Sequence, residues 1–221
     1  MITVHHLNNS RSQRVLWLLE ELNVPYEISR YFRNEQTMLA PASLKEIHPL
    51  GKSPVISDGD RTIAETGAII EYIVERYGNG RLIPGPGTDD RIRFSYWMHY
   101  AEGSAMTPLL LKLIFMRMPD NAPWLLKPIV RSIARQGEAR LADPQIATHL
   151  TYIDTELAKH EWFAGRDFTA ADIMMSFPLE AASVRAHAKS KPMIKAFLEK
   201  IHARPAYQTA LKKGGPYDYA N

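Results

Sequence analysis

One stretch constrains the fold more than any other: His48-Pro-Leu-Gly-Lys-Ser-Pro-Val-Ile-Ser-Asp58, followed closely by Ala64-Glu-Thr-Gly-Ala-Ile-Ile70. It reads as an extended turn into a strand, a tight hairpin at Asp58-Gly-Asp60, a second strand, and a helix whose first turn carries Glu65 and Thr66. Ser53 precedes Pro54, which pushes its backbone toward extended geometry. At a sheet edge such a residue leaves an N–H and a C=O that an extended peptide can pair with. Glu65 and Thr66 sit where helical N–H groups lack partners and the dipole favours an anion. Together these segments predict a cradle for a small peptide with charged ends.

The rest of the chain organises around that stretch. Ile2 to Leu7 is an apolar strand candidate, and Arg14 to Leu22 has helical spacing with Val15, Leu18, Leu19 and Leu22 on one face. Asn23-Val-Pro25 ends that helix, and Tyr26 to Tyr31 alternates as a second strand. Pro41 to Ile47 is a short helical turn, and Ala64 to Tyr77 is a helix stopped by Gly78-Asn-Gly80. The order βαβ then ββα predicts a small α/β domain over residues 1–80. Leu82-Ile-Pro-Gly-Pro-Gly-Thr88 is rich in proline and glycine and marks a linker at 81–88. Residues 89–221 read as all-helical, beginning with a long helix from Asp89 to about Met118. Further helices are predicted over Ala122 to Ala142, Pro144 to His160, and about 170–186, 191–203 and 205–212, with Asp143-Pro144 as cap and first helical residue. Thr169-Ala-Ala-Asp172 makes a capping box, flanked by a Phe168–Ile173 staple.

Composition narrows the chemistry. The 221 residues, 45% hydrophobic and 23% charged, suit a soluble globular protein with a sizeable core. Without cysteine there is no disulfide, no thiolate metal site and no protein-thiol nucleophile, so any thiol must arrive with the ligand. The net charge of +3 is scattered, with no basic run interleaved with aromatics, which argues against nucleic acid. Lys127, Arg131 and Arg135 read as a solvated helix face. His5 and His6 are adjacent on a strand and face opposite ways, and no histidine spacing suits a metal. The most apolar window, Pro108 to Met118, is interrupted by Lys112 and is too short to span a bilayer. No signal peptide is evident at Met1-Ile-Thr-Val-His-His6, so a cytoplasmic protein is predicted. No Ser–His–Asp order, P-loop or dinucleotide fingerprint is present.

This layout resembles the glutathione S-transferase superfamily along essentially the whole chain. Leu50-Gly-Lys-Ser-Pro-Val55 is similar to the family's cis-proline loop. Glu65-Thr66, Ala68-Ile69 and Tyr72-Ile73 are similar to its glutathione-binding helix start, and Thr169 to Asp172 to the capping box of its helical domain. The resemblance implies an α/β plus all-α fold, a thioredoxin-like domain followed by an all-helical one. It further implies that the Ser53 main chain pairs with the cysteinyl unit of glutathione, with Pro54 in cis. Lys52 would reach the glycyl carboxylate, Glu65 the γ-glutamyl ammonium, and Thr66 the neighbouring carboxylate. Glutathione is then a co-substrate and no other cofactor is implied. In the family the first long helix of the second domain lines an electrophile pocket, which makes Tyr100, Ser104 and Met106 candidates; an aromatic and methionine stripe is also what a core requires. A homodimer is implied, with Glu71, Glu75, Arg91 and Arg93 either at its contact or on a charged solvent face.

A glutathione transferase must hold the ligand's thiol as thiolate. Lowering a thiol pKa from about 8.5 to about 6.5 takes roughly 2.7 kcal/mol. A helix N-terminus supplies about 0.3–2 kcal/mol and one hydrogen bond to a charged group about 1.5–3 kcal/mol. One donor at the start of the first helix therefore suffices. The loop Leu7-Asn-Asn-Ser-Arg-Ser-Gln13 offers Ser10 first, then Asn9, with Arg11 or Ser12 as contributors. Ser10 also suits a plain N-cap. The resemblance predicts conjugation of glutathione to small hydrophobic electrophiles; glutathione-dependent reduction of disulfides or peroxides, or a non-catalytic binding module, are the alternatives.

Overall fold

The computed structural model describes residues 1–34 and 37–220. Four strands, β1 (Ile2–Leu7), β2 (Tyr26–Tyr31), β3 (Val55–Asp58) and β4 (Arg61–Ala64), form one mixed sheet in the order β2-β1-β3-β4. β1 and β2 are parallel, so a crossover must join them, and α1 (Ser12–Leu22) supplies it. β3 and β4 form the antiparallel hairpin, with Gly59 at φ +58 in the turn, where a Cβ would be strained. Asp58 anchors this hairpin to α3 (Thr66–Tyr77) by accepting from the hydroxyls of Tyr72 at 2.6 Å and of Tyr77. α2 (Leu44–Ile47) is a single turn.

The helical half comprises α4 (Asp89–Tyr100), α5 (Met106–Arg117), α6 (Lys127–Gly137), α7 (Asp143–Lys159), α8 (Ala170–Ala186), α9 (Pro192–His202) and α10 (Pro205–Gly214). The long helix expected from Asp89 is interrupted at Ala101–Ala105 by a π-turn, and a second π-turn at Glu138–Ala142 joins α6 to α7. The helix expected from Ala122 starts instead at Lys127. The reason is Pro128: deeper in a helix its ring would meet the carbonyl four residues back, whereas in the first turn its missing N–H is not needed. Among the described residues, no helix is long and apolar enough to cross a membrane.

Two packing features position the site. The apolar spacing of α1 predicts one buried face, but Arg14, Trp17 and all five leucine and valine positions are buried, because α3, α8 and α10 surround it. Trp17 meets the edge of Tyr207 from α10 at 5.1 Å between ring centroids. Gly214, ending α10, lies so close that a Cβ there would be 2.5 Å from the Gln13 side chain. The second feature is the capping box of α8. Asp172 is fully buried and accepts from the Thr169 N–H at 2.8 Å, the Thr169 hydroxyl at 3.2 Å and the Phe163 N–H at 2.9 Å. Burial pushes its carboxyl up to about 6, opposed by those same donors.

Candidate active site

Three segments converge at the end of β1. The first is the turn into β3, where the Ser53–Pro54 bond is cis and the Ser53 hydroxyl donates to the His5 carbonyl at 3.0 Å. The second is the start of α3, where Glu65 caps the helix at φ 70, ψ 123, outside the usual regions for a side-chain-bearing residue. Glu65 and Lys52 are exposed, while Thr66 is buried. The third is the loop into α1, residues 8–11. Arg14 ties the second to the third: from inside α1 its guanidinium donates to the Thr66 hydroxyl at 3.3 Å and the Met174 carbonyl at 2.7 Å.

Glu102, in the π-turn after α4, binds that assembly to the helical half. It accepts from Arg11 Nε at 3.0 and 3.1 Å and pairs with the buried Arg14. Burial raises the Glu102 carboxyl, but the two arginines outweigh it and hold the pKa below the usual value. Phe177 of α8 lies under both guanidiniums, at 5.2 Å from Arg11 and 5.4 Å from Arg14.

The residues of the α1 loop differ in how they are engaged. The Ser10 hydroxyl is buried, 2.7 Å from that of Ser12, and accepts from the Ser12 N–H at 3.2 Å. Ser12 in turn meets His6 Nδ1 at 2.8 Å. Asn9, at φ 49, donates its amide to Asp218 at 2.7 Å and accepts from the Asp218 N–H at 2.9 Å. The tail bearing Asp218 is fixed by Tyr217, whose hydroxyl donates to the buried Glu180 at 2.6 Å, and by Tyr219, stacked edge-on against Phe177.

The electrophile-pocket candidates lie where α4 ends, in the π-turn and where α5 begins. Tyr100 is buried among Tyr96, Trp97 and Tyr152 with its hydroxyl 2.5 Å from His149 Nδ1, and Met106 is in the core. Ser104 is half-buried. Arg93 bonds within the chain, to Glu156 at 3.1 Å and the Phe163 carbonyl at 3.2 Å. Sequence reasoning missed Arg14, Glu102, Phe177 and the tail. The available signal was Arg14 itself, a cation at the start of an apolar helix that, if buried, demands a carboxylate. Among the described residues, no group of histidine and carboxylate side chains could hold a metal.

His6 gives the site a pH dependence. Burial, the largest cause, and Arg30 lower its pKa from 6.5 to about 4. The unfolded chain therefore binds a proton below pH 6.5 that the folded chain refuses until about pH 4, so stability falls as pH drops through that window. Between pH 7 and pH 5 the loss is about 2 kcal/mol. Urea unfolding at the two pH values should show it, and His6→Asn should flatten the slope; an equal slope in the variant would clear His6 of the effect.

A four-stranded α/β unit with a cis-proline turn facing two helix starts, joined to an all-helical unit, defines a thioredoxin-like domain with a helical partner. The family model for the glutathione S-transferase N-terminal domain matches residues 10–76, and that for the C-terminal domain residues 115–205. Glutathione S-transferase 3 of Schizosaccharomyces pombe is 37% identical over 96% of this chain and 88% of its own length. Glutathione S-transferase 1 of Saccharomyces cerevisiae is 30% identical over 96% of this chain and 95% of its own. The crystal structure of a glutathione S-transferase from Actinobacillus pleuropneumoniae, 33% identical, matches with a TM-score of 0.83 over 100% of this chain and 96% of that one. The chain belongs to the glutathione S-transferase superfamily.

Proposed function

We propose that the protein joins the thiolate of glutathione to small hydrophobic electrophiles. The observation that carries this reading is the convergence of the α1 loop, the cis-proline turn and the start of α3, linked by Arg14 to Thr66 and closed by Glu102. In this reading the Ser53 main chain pairs with the cysteinyl unit, Lys52 takes the glycyl carboxylate, Glu65 the γ-glutamyl ammonium and Thr66 the adjacent carboxylate. The thiol sits at the positive end of α1, among Asn9, Ser10 and Arg11, where the dipole favours an anion. Its proton leaves to water, the sulfur attacks the electrophile, and the leaving group departs with the bonding pair. Ser104, half-buried in the π-turn after α4, is the remaining candidate for contact with the electrophile, with Tyr100 and Met106 in the packing beside it. A homodimer belongs to the same reading; Ile92 and Tyr96, exposed on α4, are apolar residues that a second copy would cover.

Lys52→Ala and Glu65→Gln, both at exposed positions, should each weaken glutathione binding about tenfold in calorimetry, the loss of one charged hydrogen bond, and leave thermal unfolding unchanged. Unaltered affinity in both variants would remove the cradle. Parallel assays with a chlorinated nitroarene and a small disulfide separate transfer from reduction, and turnover of the disulfide alone would overturn transfer. Sedimentation equilibrium tests the dimer, a monomer at micromolar concentration counting against it.

A further inference from the structure

We infer that the guanidinium of Arg11, rather than the hydroxyl of Ser10, is the catalytic group that faces and stabilises the glutathione thiolate. The inference rests on the transferase reading and deepens it at the one place where several residue types compete.

Ser10 is turned inward by its neighbours. Its hydroxyl is buried, accepts from the Ser12 N–H at 3.2 Å and lies 2.7 Å from Ser12 Oγ. Ser12 has one proton and two acceptors deeper in the fold, His6 Nδ1 at 2.8 Å and the Leu7 carbonyl at 3.4 Å. With the Ser12 proton given to either, the Ser12 oxygen receives the proton of Ser10, and none is left for a ligand. Asn9 is occupied differently: both ends of its side-chain amide are taken by Asp218.

Arg11 has donors to spare. Its Nε is bound to Glu102, while among the described residues neither terminal nitrogen has a hydrogen-bond partner. Its side chain is 34% exposed, so it reaches solvent where Ser10 does not. The local charge is also unbalanced toward the cation. Arg11 and Arg14 share the single carboxylate of Glu102, and Arg33, whose guanidinium donates to the Asn9 carbonyl at 3.4 Å, is close enough for Arg11 to oppose its charge. The other groups facing this cluster are Thr66 from α3, Phe177 from α8 and the tail residues Tyr217, Asp218 and Tyr219. Only Asp218 and Glu102 among them are carboxylates, against three guanidiniums and the start of α1. An incoming thiolate completes that balance, and a guanidinium N–H donates the stronger, charge-assisted bond. The chemical step is proton loss from sulfur to water; Arg11 accepts no proton and remains a cation throughout.

The test is the ultraviolet thiolate absorbance of bound glutathione titrated against pH in four forms. Arg11→Gln should raise the thiol pKa by about one unit or more, about tenfold less thiolate at a fixed acidic pH. Arg11→Lys should recover part of that shift by restoring charge, and Ser10→Ala should leave it in place. Glu102→Gln removes the opposing carboxylate and should lower the thiol pKa. That opposite sign matters, because if Arg11 served only to hold Glu102 in place both variants would move the pKa the same way. Should Glu102→Gln prove too unstable to titrate, the Arg11→Gln and Arg11→Lys pair decides alone. A raised pKa in Ser10→Ala with none in Arg11→Gln overturns the inference. Failure of the unaltered protein to bind glutathione instead overturns the transferase reading beneath it.

Discussion

Glu102→Ala should destabilise the protein by about 3 kcal/mol or more, lowering the melting temperature by about 6–12 °C. The variant leaves Arg14, with a side chain 1% exposed, as a buried cation whose carboxylate has gone. Breaking a buried ion pair by removing one partner costs about 3–5 kcal/mol, because the charge left behind is not resolvated. Here the Met174 carbonyl and the Thr66 hydroxyl remain as partners, which sets the expectation at the lower end. Replacing both members, Arg14→Met with Glu102→Leu, should recover most of the loss by putting apolar volume in place of the pair. Calorimetric scans of the three proteins check this. A shift under about 2 °C in Glu102→Ala would mean that carbonyl and hydroxyl alone satisfy Arg14. Because the pair joins α1 to the turn after α4, the same substitution should loosen the two halves against each other.

The second large effect is Asp172→Ala. That carboxylate answers three donors inside the protein, two on Thr169 and one on the Phe163 backbone. Its removal deletes a helix cap, about 0.5–2 kcal/mol, and orphans buried N–H groups at about 1–3 kcal/mol each. A loss of about 3–5 kcal/mol is expected, read from the urea midpoint at constant slope. Asp172→Asn should cost less, since its carbonyl oxygen can still accept from one or two of the donors. Equal losses in the two variants would show that charge rather than acceptor geometry holds the start of α8.

What the sequence disclosed was local. The Asp58-Gly-Asp60 hairpin, the extended Ser53 before Pro54, the helix beginning around Glu65 and Thr66 and the Thr169–Asp172 box each depend on residues within a few positions, and each is visible as spacing. The site's wiring is not local. Arg11 and Arg14 meet Glu102 91 and 88 residues away, and Asn9 meets Asp218 209 residues away. No periodicity encodes such pairs. Apolar spacing on α1 pointed to one buried face because it registers neither α8 nor α10, which bury the rest. Pro128 places the start of α6, because it falls where a helix begun at Ala122 would need an N–H. Ser10 reads as a thiol donor or an N-cap on a loop; its hydroxyl is engaged by Ser12 two residues on, and Ser12 in turn by His6 of β1, a link that the spacing of the loop does not announce.

The packing of α10 against α1 also sets an order of events during synthesis. The first helix to leave the ribosome has its outer surface covered by Tyr207 and Gly214, and the loop before it is fastened by Asp218. A nascent chain ending before residue 205 would therefore display Trp17 with its tryptophan ring partly bare and Asn9 untethered. The opening segment has to wait, shielded or merely tolerated, until nearly two hundred further residues have been made. The loop before α1 is thus fastened late, with the arrival of the last helix and its tail.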